Sequence, residues 1–102
     1  MWVRVARFEG GTAEGLDAEM ARSKQNLEDA KSEGLPAGLE GVTRVLEAIN
    51  RTDGTGLALV FCESEEELCR VDQALDQMSP PSDSGRRVSV GMYEVMHDVD
   101  LS

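Results

Sequence analysis

Arg4 is the residue whose type and position most directly suggest chemistry. It lies within an alternating apolar segment near the start of the chain, and an unpaired charge on a buried strand is costly. One interpretation is an ion pair with a carboxylate on a neighbouring strand, such as Glu94 or Glu47. The other is an anchor for an anionic or phenolate-like ligand. The small side chains of Ala6 and Ala58, which share even parity with Arg4 on adjacent strands, would then form the pocket.

Ring side chains could complete such a pocket. Trp2, Phe8 and Tyr93 could line a cavity for a flat aromatic substrate, or they could equally belong to the core or to an interface. His97 is the sole histidine, and histidine is a common acid–base residue because its pKa lies near neutrality. Its position beside Asp98, close to the C-terminus, is also typical of a solvated residue.

Two cysteines, Cys62 and Cys69, follow each other closely. Their spacing matches no zinc-binding pattern, and a cytoplasmic protein keeps its thiols reduced. We therefore expect structural, reduced cysteines and no metal, with a disulfide or a reactive thiol as the alternative.

Composition excludes several classes of partner. The 102 residues include 20 acidic and 10 basic side chains, for a net charge of −10. Phosphate backbones are bound through clustered Lys and Arg, and here these residues are scattered, so neither nucleic acid nor an anionic membrane is an expected partner. No apolar run approaches the roughly 20 residues that span a bilayer, and Met1 leads directly into a strand pattern rather than a signal peptide. We expect one domain, residues 1–102, in the cytoplasm.

The segment from Leu57 to Cys62 is the clearest structural signal. It is an uninterrupted apolar run, typical of a strand that is buried on both faces. Ser64 and Glu67 then form a capping box, which predicts a helix directly after the strand.

Periodicity and turn residues divide the rest of the chain. Asp53-Gly54 is a hairpin signal, since the turn that matches strand twist needs positive φ. The predicted strands are about Trp2–Phe8, Glu40–Asn50, Gly56–Glu63 and Arg87–His97; the predicted helices run from a Thr12 cap to about Ser32 and from Glu65 to about Met78; Ser79–Gly85 is an exposed loop.

The order βαββαβ predicts an α+β, ferredoxin-like fold. Right-handed crossovers favour a four-stranded antiparallel sheet with both helices on one face. The first and third strands are then central, which fits their apolar character on both parities. The second and fourth strands lie at the edges, where their polar interruptions are tolerated: Arg44, Glu47, Ser89 and Glu94.

This fold leaves one face of the sheet without helices. Either Trp2 and Phe8, or else Val3 and Val5, must point to that face. An apolar patch of this size exceeds what monomers usually expose, and packing against a second copy would cover it. We therefore predict a homodimer with its sheets face to face.

The sequence resembles the dimeric α/β-barrel superfamily, and within it the antibiotic-biosynthesis-monooxygenase-type domains. The resemblance extends over nearly the whole chain in element order and spacing. Four segments carry it: Met1–Gly10, Gly34–Leu39, the Asp53-Gly54 hairpin and Cys62–Glu66. It implies a dimeric α/β barrel and, as one activity, the cofactor-independent oxidation of a small aromatic substrate. A non-catalytic module for small-molecule binding or assembly is the alternative.

Haem-degrading members of that superfamily use an Asn on the first strand, a Trp near the end of the third and a His on the second helix. The matching positions here hold Arg4 or Ala6 and Cys62 or Phe61, and the second helix has no His. The resemblance therefore argues against haem degradation, and no cofactor is expected. The candidate pocket residues are Arg4, Trp2, Ala6, Ala58, Cys62, Tyr93 and His97, with no catalytic residue assigned.

Overall fold

The predicted order of elements is confirmed. The computed structural model describes residues 1–78 and 85–102, so most of the predicted loop at Ser79–Gly85 lies outside the described residues. The elements are β1 (Trp2–Glu9), α1 (Ala13–Glu33), β2 (Val42–Asn50), β3 (Thr55–Cys62), α2 (Glu65–Asp76) and β4 (Arg86–Glu94).

The four strands form one antiparallel sheet in the order β2-β3-β1-β4. As predicted, β1 and β3 are central and the strands with polar interruptions lie at the edges. Arg4 contacts α2, so the even positions of β1 face the helices. Its odd positions, Val3 and Val5 among them, face the side without helices, which we call the open face.

Both helices begin where the sequence predicts. The Thr12 hydroxyl accepts a hydrogen bond from the Gly15 amide, and the Ser64 hydroxyl accepts one from Glu67 at 3.2 Å. Such caps satisfy amide groups that lack a partner within the helix. Neither helix in the described part of the chain has the length and hydropathy to cross a membrane.

The densest core lies between α2 and the centre of the sheet. Leu68 and Val71 of α2 pack against Val60 and Cys62 of β3, and Trp2 packs against the edge of this cluster. Burial raises the pKa of the Cys62 thiol, and the negative charge of Glu67 raises it further. Cys62 is therefore a packed core thiol.

This environment predicts unequal reactivity of the two cysteines. Both are free; Cys62 is buried and Cys69 is partly exposed. Because the thiolate is the reactive form, iodoacetamide should modify one thiol per folded chain quickly and both thiols only after denaturation. Mass spectrometry measures this. A Cys69→Ser variant should lose the fast reaction, and fast modification of Cys62 in the folded protein would contradict the packing described.

Two irregularities in the register change which side chains face the helices. The β2–β3 register shifts between Val42 and Arg44, and a bulge of this kind exchanges the faces of the residues on either side. Val42 therefore packs against the helix-side core, whereas the sequence alternation grouped it with Leu46 and Ala48. A second shift, beside Phe8 on β1, places Arg87 opposite Phe8 on the helix side.

Several elements are shorter than predicted. β2 begins at Val42, α2 ends at Asp76, and β4 ends at Glu94. The C-terminal segment leaves the sheet where the Val95 amide donates to the carbonyl of Met1. His97 therefore lies beyond the sheet rather than at the end of its last strand.

The hairpin between β2 and β3 requires glycine at position 54. Gly54 has φ +70°, and a Cβ there would lie 2.2 Å from the Gly11 carbonyl oxygen. The Gly11 amide also donates to the carbonyl of Gly54 at 2.9 Å. This contact joins the hairpin to the loop that precedes α1.

Gly54→Ala should therefore destabilise the fold by roughly 2 to 4 kcal/mol, from left-handed strain and the steric clash together. Urea denaturation followed by circular dichroism measures the loss. Gly56→Ala is the matched control: its Cβ would meet no atom closer than 3.5 Å, so its stability should stay within about 1 kcal/mol of wild type. Equal effects of the two changes would contradict this account of the turn.

The open face is mainly apolar, although the charged side chains of Arg7 and Arg44 also lie on it. Val3 and Phe61 are buried there, and the Arg44 guanidinium lies 5.3 Å from the centre of the Phe61 ring. Arg44 also pairs with Asp98 at 3.4 Å, so the C-terminal segment passes near the β2 edge. Further apolar side chains line this face: Val5, Leu46, Leu57, Leu59 and Tyr93.

Candidate functional site

A concave region lies between α1 and the sheet. Leu16, near the start of α1, is buried, but Met20 and Leu27 on the same apolar stripe are 42% and 38% exposed. These side chains line a cavity of about 560 Å³ instead of packing on the strands. The apolar side chains of α1 thus form mainly a cavity wall.

A second cavity of about 760 Å³ lies next to the first and extends to α2, between both helices and the sheet. We call it the inner cavity and the first one the outer cavity. Their walls share side chains from both the helix and the sheet, including Phe8, Leu27, Val45 and Ala58. A volume of this size and apolar character is typical of a small-molecule site.

Small residues on the strands help to leave this space open. Gly56 and Ala58 of β3 lie beneath α1 and line the outer cavity. Ala58 also lines the inner cavity, next to Val60. Because these side chains are short, α1 can lie over the sheet without filling the gap beneath it.

Arg4 is the charged group buried in the wall of the inner cavity. Its side chain is 3% exposed, and its Nε donates to Asp72 Oδ1 of α2 at 2.8 Å. Its Nη2 is buried and has no hydrogen-bond partner among residues 1–78 and 85–102. An unsatisfied buried donor is costly, so an acceptor that reached this atom from the cavity would be stabilised.

The carboxylate partner of Arg4 differs from both sequence candidates. Glu47 lies two strands away, across β3, and Glu94 pairs with Trp2 rather than with Arg4. Asp72 reaches Arg4 because α2 crosses above the middle of β1. Arg4 therefore forms an ion pair and also keeps an unpartnered donor. At the sequence level, an ion pair and a ligand anchor were alternative interpretations of this residue.

Glu47 faces the cavity from the edge strand β2. It lines both cavities, and its Oε1 accepts a hydrogen bond from the Ser23 hydroxyl of α1. This contact and the ion pair between Arg51 and Asp17 at 2.8 Å hold α1 to the β2 side of the sheet. Sequence reasoning considered Glu47 as a polar interruption of a strand and as an ion-pair partner of Arg4, not as part of a cavity wall.

Arg87 also lines the inner cavity, but its guanidinium is already engaged. It donates to the carbonyls of Leu75 and Asp76 and to the Asp76 carboxylate, at 3.1 to 3.2 Å. Arginine at a helix C-terminus commonly satisfies the last carbonyl groups in this way. Its role is therefore to fix the end of α2 beside the cavity.

The structure brings together only part of the predicted pocket. Arg4 and Ala58 line the inner cavity, and Phe8, considered at the sequence level, lines both cavities. Ala6 and Cys62 are fully buried, and Cys62 is packed beneath α2. Trp2 packs at the edge of the same core, where its ring supports the sheet rather than the cavity.

Tyr93 and His97 lie away from the cavity. Tyr93 pairs with Val3, so strand alternation directs it to the open face, where it is 58% exposed and lies over Gly91. His97 is exposed in the C-terminal segment beyond β4. Tyr93 lies on the opposite side of the sheet and His97 lies outside the sheet, so neither ring lines the described cavities.

No group of three or more His, Cys, Asp or Glu side chains that could hold a metal ion occurs within the described ranges. The polar side chains that line the inner cavity from the sheet are Arg4, Glu47 and Arg87, and α1 adds others: Glu19, Arg22, Ser23, Asn26, Asp29 and Glu33. On the sheet, the side chains between Arg4 and Glu47 are apolar.

Comparison with solved structures identifies the fold. A protein from Deinococcus radiodurans with a proposed role as an antibiotic biosynthesis monooxygenase aligns over 100% of this chain and 99% of its own. The TM-score is 0.56 at 13% sequence identity. The chain has the antibiotic-biosynthesis-monooxygenase-like fold. No family model matches the sequence, and no curated protein matches it. In this monooxygenase-like fold, α1 spans the cavity and α2 positions Arg4.

Proposed function

We propose that the protein binds a small aromatic molecule in the inner cavity and oxidises it with dioxygen without a cofactor. The observation that carries this proposal is the buried, unpartnered Nη2 of Arg4 in the wall of an apolar cavity. A guanidinium in that position stabilises an anionic or ionisable oxygen of the ligand. The monooxygenase role proposed for the structural neighbour supports the same chemistry.

The reaction requires only substrate and dioxygen. For a phenol, the ring carbon next to the hydroxyl-bearing carbon exchanges its hydrogen for one oxygen atom, and both carbons become quinone carbonyls. The second oxygen atom leaves as water with that hydrogen and the phenolic proton, and the ring supplies the four electrons. Arg4 binds the anionic group of the substrate, while the apolar side chains of Leu27, Val45 and Val60 orient the ring.

Dioxygen uptake with a panel of phenols and quinols tests this proposal. Uptake that depends on both the protein and the substrate, with one quinone formed per dioxygen consumed, is the expected result. Arg4→Met should reduce it, and Arg86→Met, at an exposed arginine on β4, should not. Ligand binding without any uptake across the panel would overturn the catalytic part.

A non-catalytic binding module is the second candidate. It is favoured by the absence of His, Tyr and Cys from the cavity walls, as far as the structure describes them. In that case the same cavity and the same Arg4 would bind the molecule without changing it.

We also propose that the protein forms a homodimer through its open faces. The apolar surface around Val5 and Leu59 supports this, because monomers rarely expose a continuous patch of this kind. A two-fold dimer would bury the same surface of both copies. The cavities lie on the opposite side of each sheet, so they would remain accessible.

A further inference from the structure

Arg4 and Glu47 present opposite charges to one cavity without pairing with each other. Both line the inner cavity, yet Arg4 pairs with Asp72 and Glu47 accepts from Ser23. Opposite charges on one apolar floor attract strongly when they can meet. Their separate partners keep the two heads apart, and each retains an open atom. These are Arg4 Nη2, which is buried, and Oε2 of Glu47, whose side chain is exposed; neither atom has a hydrogen-bond partner in the described part of the chain.

The register gives the spacing between them. Val60 of β3 lies opposite Arg4 on β1, and Ala58 lies opposite Glu47 on β2. Arg4 and Glu47 are therefore two strands and two residue rows apart, a backbone separation of roughly 12 Å. Both side chains line the inner cavity from these positions, with Ala58 and Val60 of β3 between them. A benzene ring with polar groups at opposite ends is shorter than this separation, so the two side chains could lie at its two ends.

We infer that the ligand is a bifunctional aromatic acid, with an anionic oxygen at one end and a hydrogen-bond donor, hydroxyl or amino, at the other. Arg4 Nη2 donates to the anionic oxygen, and Glu47 accepts from the donor at the far end. Ser23 is a positioning residue, since its hydroxyl fixes one oxygen of Glu47 and leaves the other for the ligand. This inference rests on the proposed use of the inner cavity as a binding site.

Glu47 thereby selects among aromatic acids. A ligand that places a methyl group or hydrogen against Glu47 would desolvate the carboxylate without replacing its hydrogen bonds. A ligand with a donor there restores one hydrogen bond to a charged acceptor. Such a bond contributes roughly 1.5 to 3 kcal/mol, which corresponds to about ten- to a hundredfold in affinity.

Isothermal titration with four probes tests the inference: benzoate, 4-methylbenzoate, 4-hydroxybenzoate and 4-aminobenzoate. Wild-type protein should bind the hydroxy and amino acids roughly tenfold or more tightly than the methyl acid. Glu47→Met should bring these affinity ratios close to one, and Glu47→Gln should lower them less. The hydroxy and amino arms distinguish the two kinds of donor.

Glu28→Met is the matched control. Glu28 lines the outer cavity but not the inner one, so the change removes the same charge nearby and should leave the ratios unchanged. Circular dichroism melting verifies that each variant is folded. Equal ratios in wild type and both Glu47 variants would overturn this inference alone. If none of the four probes bound the wild type, the proposed site and the inference would both be wrong.

Discussion

Replacing Arg4 with methionine should weaken the binding of 4-hydroxybenzoate by roughly ten- to a hundredfold, because the ligand loses a hydrogen bond to a buried cation. The guanidinium is buried in the cavity wall with Nη2 unpartnered, so little water screens the interaction. Isothermal titration gives the affinity and the fraction of the protein that binds ligand. That fraction should not change in the control variant described next.

Two further variants make this result specific. Arg86→Met removes an exposed arginine from β4 and should leave the affinity unchanged. Arg4→Lys keeps the charge but lacks the planar fork that engages Asp72 and a ligand together, so its affinity should lie between those of wild type and Arg4→Met. If Arg4→Met bound the probe as tightly as wild type while folded, Arg4 would not be the anchor.

Replacing Leu59 with glutamate should convert the proposed dimer to a monomer. Leu59 lies at the centre of the open face, paired with Val5 on one side and Leu46 on the other. In a face-to-face dimer the two introduced carboxylates would be buried near each other, which is strongly unfavourable. Sedimentation equilibrium should give about 22 kDa for wild type, twice the 11.1 kDa of one chain, and about 11 kDa for the variant.

Ala18→Glu controls for the added charge, since Ala18 is exposed on α1, on the helix side of the sheet. It should remain dimeric. A wild-type protein that sediments as a monomer at micromolar concentration would contradict the dimer outright. A variant that stayed dimeric would place the interface on a surface other than the open face.

The fold could be predicted from the sequence because its signals are local. The apolar run of β3 and the caps at Thr12 and Ser64 each depend on neighbouring residues, and chirality then restricts the topology. The bulge between Val42 and Arg44 could not be predicted in this way. One extra residue in a strand moves the side chains that follow it to the other face of the sheet, and the position of that residue depends on the partner strand.

The site was only partly predictable, because a cavity depends on distances between elements rather than on residue patterns. Met20 and Leu27 have the spacing of core residues, and nothing in that spacing shows that α1 stays clear of the strands. Asp72 reads as part of a solvated helix face until α2 is placed over β1. Arg4 was identifiable because a charge inside an apolar strand conflicts with its local surroundings.

Tyr93 and His97 illustrate the opposite case. Both are residue types that often line active sites, and residue type was the reason for including them in the candidate pocket. The odd parity of Tyr93 relative to Arg4 directs it to the open face, which follows from the β1–β4 register. The early end of β4 at Glu94 removes His97 from the sheet.

A crystal structure of the protein with bound 4-hydroxybenzoate tests the central claim most directly. We expect the ring to lie over Ala58 in the inner cavity, with an oxygen of its carboxylate within hydrogen-bonding distance of Arg4 Nη2 and its hydroxyl directed to Glu47. A structure in which α1 packs directly on Val45 and Ala58, or in which the ligand binds outside the cavity, would contradict it.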